Sequence, residues 1–323
     1  MKISSRVHTV NSIIVPVLLV LFFALIGIMI TFISYEDVKN GKVDSIFKTP
    51  IYGSLILFVV IIGTAIHFIK MYKAIQIDKK GIKISNLFQT KFIPWSEIKM
   101  IELTGKSTIA NSPLDATILK LKNGRKIELI ASRYENMPTI RKTLEQVIEL
   151  IDTQKPLEIN PIKEPSKVDS IGHVDHRKMT KYSDNHILSF NGILIYGWIA
   201  FSIYALTILS YSGAILIAVT FMFGFIYGFL GLQLHYFFLD TNYLVVRNHV
   251  WPWVNDKYKV ENIKEVILEH PYKRSTSMRV STKDYKSKLY SGGSLKNSTW
   301  KMLLQDIKNL NINTKNEGVT GTL

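Results

Sequence analysis

Cysteine is absent from this chain of 323 residues. Its absence excludes disulfide bonds, thiolate catalysis and thiolate ligation of a metal. The sequence also lacks a glycine-rich phosphate-binding loop and a dinucleotide-binding fingerprint. Its Ser, Asp and Glu residues are not spaced as a set of acid, base and nucleophile. We therefore predict a protein that is not an enzyme and that has no cofactor and no metal site.

Acidic residues are few relative to basic ones. The chain has 40 Lys and Arg against 25 Asp and Glu, a formal net charge of +15. Its length suits roughly two domains of about 150 residues each. Beside an anionic lipid surface, each Lys or Arg gains about 1 kcal/mol. The simpler interpretation, that these charges mark topology and maintain solubility, is favoured over specific lipid recognition.

Charged residues are missing from the interiors of four apolar runs, at residues 12–34, 51–68, 187–209 and 212–237. About 20 apolar residues span the roughly 30 Å hydrocarbon core of a bilayer. The sequence therefore predicts four transmembrane helices arranged as two hairpins, each followed by a soluble segment. Intramembrane ionisable residues usually mark a transport pathway. Their absence argues against the alternative of a small-solute channel or transporter formed by the four helices.

The soluble segments have the pattern of strands followed by one helix. Residues alternate over Ala74–Asp78 and Ile82–Ile84, and two further strands flank Asn123-Gly124, which predicts a type I′ hairpin. A helical stripe then closes the first segment, with Ile140, Leu144, Val147 and Ile151 on one face. Each soluble segment is predicted to be an α+β unit with a C-terminal helix.

The same order of elements recurs in the second half of the chain. Asp78, Gly81 and Asn86 correspond to Asp240, Tyr243 and Asn248 at a constant spacing, and the final stripe returns as Trp300, Leu304 and Ile307. These matches predict an internal repeat. The predicted domains are a transmembrane hairpin at 1–69, a soluble domain at 70–153, a linker at 154–186, a second hairpin at 187–237, a second soluble domain at 238–312 and a disordered tail at 313–323.

Three stretches resemble a known group of proteins. They are Ile75–Ile84, the run Phe92-Ile93-Pro94-Trp95-Ser96-Glu97-Ile98-Lys99, and the closing helix Pro138–Ile151. The chain resembles bacterial membrane proteins in which a pleckstrin-homology-like (PH-like) domain follows a two-helix hairpin. The resemblance implies two PH-like barrels, each of seven strands and one C-terminal helix, with Pro94 and Trp95 as structural residues and no catalysis. The second copy lacks the Pro-Trp pair at Tyr258–Ile263.

The most concentrated basic region is the candidate ligand site. Three interpretations are open. A solvated strand face is favoured, contact with anionic lipid headgroups comes second, and nucleic-acid binding through nearby tyrosines is least favoured. The candidate lipid-contact residues are Lys273, Arg274, Arg279, Lys283, Lys286 and Lys288.

Two further motifs allow a structural and a functional interpretation. Trp251-Pro252-Trp253 is interpreted as strand-end packing, with a hairpin tip at the lipid interface as the alternative. His173 and His176 could be metal ligands, but they lie in a linker without a second ligand cluster.

Lys and Arg near the apolar runs predict the orientation. Lys2 and Arg6 precede the first run, Lys70 and Lys73 follow the second, and further basic residues lead into the third. We expect a multi-pass protein of the cytoplasmic (inner) membrane, with both termini and both soluble domains in the cytoplasm. The predicted function is a binding or scaffold protein whose partners are the bilayer, anionic headgroups or another protein. A membrane immunity or stress-response role is the other alternative, and the oligomeric state is left open.

Overall fold

The computed structural model describes residues 2–71, 73–86, 88–107, 114–153, 159–160, 162, 174–208, 223–224, 226–271 and 275–317. The chain divides into two compact units. Unit 1 comprises Met1–Ser107 and Leu114–Glu164, and unit 2 comprises Thr108–Pro113 and Pro165–Leu323.

Unit 1 contains a hairpin of two long apolar helices. After a short π-helical turn, Val10–Ile14, helix α1 spans Val15–Lys39, and helix α2 spans Ile51–Met71. Pro16 lies in the first turn of α1, where a missing backbone donor costs nothing. Gly27 of α1 lies beside Phe58 of α2: a Cβ added at Gly27 would be 3.5 Å from the Phe58 ring, an ordinary contact distance. Both helices are long and apolar enough to cross a membrane, by length and composition.

The first sheet of unit 1 is antiparallel, and its first two strands lie on either side of this hairpin in the chain. Its strands are β1 (Ile3–Ser4), β2 (Ala74–Ile77), β3 (Gly81–Ser85) and β4 (Thr90–Pro94), in that order across the sheet. β1 precedes α1 in the chain and β2 follows α2, yet they pair, with Ile3 opposite Ile77. Both helices are thus inserted between two neighbouring strands.

The second sheet of unit 1 closes the core under a helix. A 3-10 turn at Trp95–Glu97 leads to β5 (Ile98–Ser107), β6 (Leu114–Leu121) and β7 (Lys126–Ile130), and helix α3 spans Met137–Asp152. Strand order is β5-β6-β7. Ile140, Leu144 and Val147 of α3 are buried in one cluster with side chains of both sheets, so the predicted helical stripe is confirmed for these three residues. Ile151 is exposed.

Unit 2 begins with a short strand in the segment predicted to be a linker. The first sheet is antiparallel, with β8 (Thr180–Tyr182), β9 (His235–Leu239), β10 (Tyr243–Asn248) and β11 (Asn255–Lys259) side by side in that order. Helix α4 spans Phe190–Ile208, between β8 and β9 in the chain. Residues 226–231 are also helical and lead into β9.

The second sheet of unit 2 follows a 3-10 turn at Val260–Asn262. It comprises β12 (Ile263–Glu269), β13 (Ser277–Thr282), β14 (Ser287–Ser291) and β15 (Asn313–Asn316), and helix α5 spans Asn297–Asn309. β15 pairs in parallel with β12. Trp300, Leu304 and Ile307 of α5 are buried as the stripe predicts. β15 lies within the predicted disordered tail, where residues 313–316 form an edge strand.

The prediction of four transmembrane helices in two hairpins is wrong. Among the described residues, two helices qualify, Ser12–Lys39 and Ile51–Phe68. The apolar helix of the third run, Phe190–Tyr204, is shorter. The fourth run ends in β9, whose Phe237 is fully buried in the sheet core. Its apolar character there reflects packing between protein layers, which hydropathy alone does not distinguish from a lipid environment. Residues 209–222 lie outside the described residues.

The hairpin at Asn123-Gly124 is confirmed, but its turn type is not. β6 and β7 pair with Lys120 opposite Lys126. A type I′ turn requires a positive φ at both central residues, and here only Gly124 has one, at 80°. The Asn123 side chain instead accepts a hydrogen bond from the Arg125 backbone N–H at 3.1 Å, which stabilises a longer connection.

Candidate functional site

The predicted basic site is divided between the core and the surface of unit 2. Arg279 lies on β13 and is buried. Its Nε and Nη2 donate to the two carboxylate oxygens of Glu269 at 2.7 and 3.0 Å. This bidentate pair compensates a charge that would otherwise be costly to bury. Arg279 is therefore held inside the unit and does not face a ligand.

Three other basic residues of this region, Lys283, Lys286 and Lys288, are described and are at least partly exposed. Lys286 pairs with Asp284 at 3.2 Å, and Lys288 pairs with Asp256 at 2.6 Å. Lys283 is exposed. Lys273 and Arg274 lie outside the described residues. Lys286 thus directly precedes β14 and Lys288 lies on it, each beside a carboxylate that offsets its charge.

A polar cluster lies beneath Lys288. The Tyr290 hydroxyl donates to Asp256 at 2.9 Å and contacts the Tyr258 hydroxyl. Burial raises the pKa of both tyrosines. Both hydroxyl groups therefore remain protonated. Asp256 accepts from Tyr290 and also pairs with Lys288. Tyr290 is fully buried, so it is not available to stack on a base.

Pro94 and Trp95 lie where the first sheet of unit 1 joins the second. Trp95 is buried, and its indole Nε1 donates to the backbone oxygen of Asp78 at 3.1 Å. Opposite Pro94, Gly81 leaves no room for a side chain, because an added Cβ would lie 2.2 Å from the Ile93 oxygen. Trp95 is part of the hydrophobic core of unit 1, and Pro94 directly precedes it at the end of β4.

In the first sheet of unit 1, one row of strand ends lies next to the end of α2 in the chain. We call this row the helix-side edge, defined by Ala74, Ser85 and Thr90 and by the loop residues Asn86, Phe88 and Gln89 between β3 and β4. Ala74 follows α2 closely and pairs with Ser85, which in turn pairs with Thr90. Because β3 runs antiparallel to β2, the loop that follows β3 returns to the end of α2.

The loop of the helix-side edge has an exposed aromatic tip. The Asn86 carboxamide oxygen accepts from the backbone N–H groups of Phe88 and Gln89 at 3.0 and 2.7 Å, which fixes a tight turn. Phe88 is 72% exposed. Lys91, one residue into β4, is exposed as well. The edge therefore combines an apolar tip with a cation.

Two half-buried cations adjoin the same edge. Lys73 directly precedes β2, and its backbone oxygen accepts from the Tyr134 hydroxyl at 2.9 Å. Arg133 lies one residue before Tyr134, and its backbone oxygen accepts from the His8 N–H at 2.7 Å. Burial lowers the pKa of both, and the Arg133 charge lowers that of Lys73 further while Glu128 opposes the shift. An anion near this pair would stabilise both charged forms.

The loop between β10 and β11 of unit 2 contains Trp251-Pro252-Trp253. It corresponds to the loop between β3 and β4 of unit 1. Asn248 accepts from the N–H groups of Val250 and Trp251 at 2.8 and 2.9 Å. Trp251 packs edge-on against Tyr227, in agreement with the packing interpretation. Trp253 is 72% exposed and projects from the loop. One tryptophan thus anchors the loop, and the other forms an exposed tip.

A stack of rings covers part of the first sheet of unit 2. The His186 and His249 rings are parallel with centroids 4.2 Å apart, and Tyr236 stacks on the other side of His249 at 4.3 Å. Lys181 lies 5.3 Å from the Tyr236 centroid. Burial lowers the pKa of His249 to about 4, assisted by the charges of His186 and Lys181. His249 is therefore neutral near pH 7, which permits its close stacking on a second histidine.

The histidine pair considered as metal ligands is only partly described. His173 lies outside the described residues, and His176 stacks on Phe238 at 5.3 Å. Within the described part of the chain, no group of three or more His, Asp and Glu side chains is placed to hold a metal ion.

Sequence reasoning missed two short strands, β1 before α1 and β8 before α4. β1 and β8 are short and have no strand pattern of their own. Asp184, after β8, accepts from the Lys296 N–H and the Thr299 hydroxyl at 2.8 and 2.7 Å, and so caps α5. Asn136, before α3, accepts from the Arg6 N–H at 2.7 Å. Asn and Asp are common at helix N-termini, so the sequence indicates that Asn136 and Asp184 bond to backbone groups. It does not indicate which groups, because their partners are more than 100 positions away.

The chain matches no protein-family model and no curated protein.

Proposed function

We propose that this chain is an integral membrane protein in which α1 and α2 form the anchor and the two units are non-enzymatic binding modules at the membrane surface. The observation that carries the proposal is the apolar outer surface of the α1–α2 hairpin. Val59 is 70% exposed, and Leu18 and Phe32 are exposed as well. Such a continuous apolar surface is unfavourable in water but favourable in lipid. The 21 residues of α2 extend about 31 Å, which matches a hydrocarbon core of roughly 30 Å.

The proposal includes an internal repeat of PH-like modules. What supports the repeat is matched local bonding at the positions that correspond in sequence. Asp78 accepts from the N–H groups of Lys80 and Gly81 at 2.8 and 3.0 Å. Asp240 accepts from those of Asn242 and Tyr243 at 2.7 and 2.6 Å. In each unit a four-stranded antiparallel sheet, a 3-10 turn, a second sheet and a helix follow in one order.

We place the units on the cytoplasmic side of the inner membrane. The support is the distribution of cations at the two ends of the hairpin. Each of the three lysines in and around the α1–α2 connection pairs with a carboxylate; these pairs are Lys39 with Glu36, Lys42 with Asp37 and Lys48 with Asp44. At the other end, Lys73, Lys91 and Arg133 adjoin the helix-side edge. Excess basic charge at a membrane surface favours the cytoplasmic side.

The binding role follows from the surface that the modules offer. The buried carboxylates Asp115 and Glu269 are occupied by Arg141 and Arg279 in structural ion pairs, which favours a binding role over acid–base catalysis. Lys283, Lys286 and Lys288 remain the candidate headgroup or protein contact of unit 2.

Extraction of membranes from cells that express the full chain tests the anchor. Alkaline carbonate should leave the protein in the membrane pellet, whereas a Val59→Arg variant should insert less, because a central arginine costs about 2.5–3.5 kcal/mol on insertion scales. Release of the unmodified chain into the supernatant would refute the proposal.

The binding role is tested by co-purification from detergent, where Lys283→Glu, Lys286→Glu and Lys288→Glu together should change the partner set. An unchanged set would remove this surface as the contact.

A further inference from the structure

We infer that the helix-side edge of unit 1 contacts the lipid–water interface, with Phe88 as an apolar tip inserted among the headgroups. This inference rests on the proposed membrane anchor and adds the surface by which the module itself meets the bilayer.

The strand register places the tip beside the anchor. α2 ends at Met71, and β2 begins three residues later at Ala74. Ala74 pairs with Ser85, and the loop 86–89 follows immediately. A chain that leaves the bilayer at the end of α2 therefore has this loop next to its exit point. The opposite end of the sheet, at the turn of Lys79 and Lys80, lies roughly 10–13 Å farther away, because a strand rises about 3.3 Å per residue.

The chemistry of the edge suits an interface rather than water or the hydrocarbon core. An aromatic ring with a polar surround is the side-chain combination favoured at the headgroup level. Phe88 is 72% exposed, although the apolar residues Ile82 and Ile93 of the same sheet are fully buried. Lys91 adds an exposed cation, and the half-buried Lys73 directly precedes β2 and lies close enough to Arg133 to feel its charge. This arrangement matches an anionic headgroup layer.

Hydrogen bonds within the loop hold the conformation of the tip in the absence of lipid. Asn86 holds the backbone of Phe88 and Gln89 with two hydrogen bonds, and the Asn86 N–H donates to the Gln89 oxygen at 2.9 Å. A preorganised tip loses little conformational freedom on insertion. The loop of unit 2 at the corresponding position also ends in an exposed aromatic residue, Trp253. An exposed aromatic tip is thus a property of this loop in both units.

The natural absence of cysteine makes a direct test available. Three single-cysteine variants of the full chain, Phe88→Cys, Lys79→Cys and Val59→Cys, are labelled with an environment-sensitive fluorophore and reconstituted into vesicles of phosphatidylcholine and phosphatidylglycerol. Lys79 is the matched control, since it is exposed on the opposite turn of the same sheet. Val59 reports the anchor. Lipids with a spin label near the headgroup or deep in the acyl chain act as quenchers.

We expect the label at position 88 to shift to the blue and to lose fluorescence to the shallow quencher, while the label at position 79 shows neither change. The label at position 59 should be quenched by the deep spin label. Quenching at 59 with equal, water-like behaviour at 88 and 79 overturns the inference and leaves the anchor intact. Absence of quenching at 59 overturns the anchor and the inference with it. Thermal unfolding of each labelled variant shows that the unit remains folded.

Discussion

The ion pair between Arg141 and Asp115 gives the sharpest stability prediction for unit 1. The Arg141 side chain is 1% exposed and that of Asp115 is 12% exposed. Arg141 Nη2 and Nη1 donate to the two Asp115 oxygens at 2.7 and 3.2 Å, and Nε donates to the Thr117 hydroxyl at 3.1 Å. Asp115→Asn leaves the guanidinium charge buried beside a neutral group. Removal of one partner from a buried pair costs about 3–5 kcal/mol, a fall in Tm on the order of 10 °C for a domain of this size.

The assay is thermal proteolysis of the full chain in detergent, following peptides from residues 114–153. A double variant with Asp115→Leu and Arg141→Met should recover most of the lost stability, because no uncompensated charge remains. The matched control is Glu102→Gln in the same sheet, where Lys120 pairs with Glu102 at 3.4 Å and both side chains are more than a third exposed. That pair is worth less than about 1 kcal/mol. If Asp115→Asn costs no more than Glu102→Gln, the reasoning from burial is refuted.

Three further predictions concern turns, caps and pH. Gly81→Ala should destabilise unit 1 by about 1–3 kcal/mol, because the new Cβ would lie 2.2 Å from the Ile93 oxygen; chemical denaturation measures it, and an unchanged midpoint would contradict it. Asp184→Ala should destabilise unit 2 by about 1 kcal/mol through loss of the α5 cap, and hydrogen exchange should increase selectively in the first turn of α5 if the cap is real. His249 has a folded pKa of about 4, below its ordinary 6.5, so the unfolded chain binds more protons between these values. Its contribution to stability is complete above pH 6.5 and is lost as the pH falls toward 4. His249→Phe should therefore flatten the acid side of the stability profile of unit 2, and an unchanged profile would show that other groups determine it.

Local patterns predicted the strands and turns of each unit well. Asp78 and Asn86 were matched to Asp240 and Asn248 in the sequence, and the structure shows that all four bond to the backbone two or three positions ahead. The α3 stripe was recognised because its period is local. The assignment of the fourth apolar run to a transmembrane helix was wrong because β9 is apolar on account of burial, and a run of apolar residues does not specify its surroundings.

Long-range contacts explain what the sequence could not predict. The pairing of Ile3 with Ile77 is invisible locally, since two long helices separate the strands. The basic site was predicted from a concentration of charge, but the partners of Arg279 and Lys288 lie on other strands. Arg279 meets Glu269 only once β12 and β13 are in register. The position of Phe88 beside the end of α2 likewise emerges only from the antiparallel order of β2 and β3.

The central claim is that α1 crosses a bilayer and α2 crosses back, so that β1 and β2 pair in one sheet on the side from which α1 entered. Phe47 lies in the connection between the helices and is exposed, and Lys79 lies on the far turn of that sheet. The most direct test labels Phe47→Cys and Lys79→Cys variants in sealed, uniformly oriented membrane vesicles with a membrane-impermeant thiol reagent, before and after detergent. The account predicts that only one of the two positions reacts before detergent and that both react afterwards. Equal reaction of both positions in the sealed vesicles would contradict it.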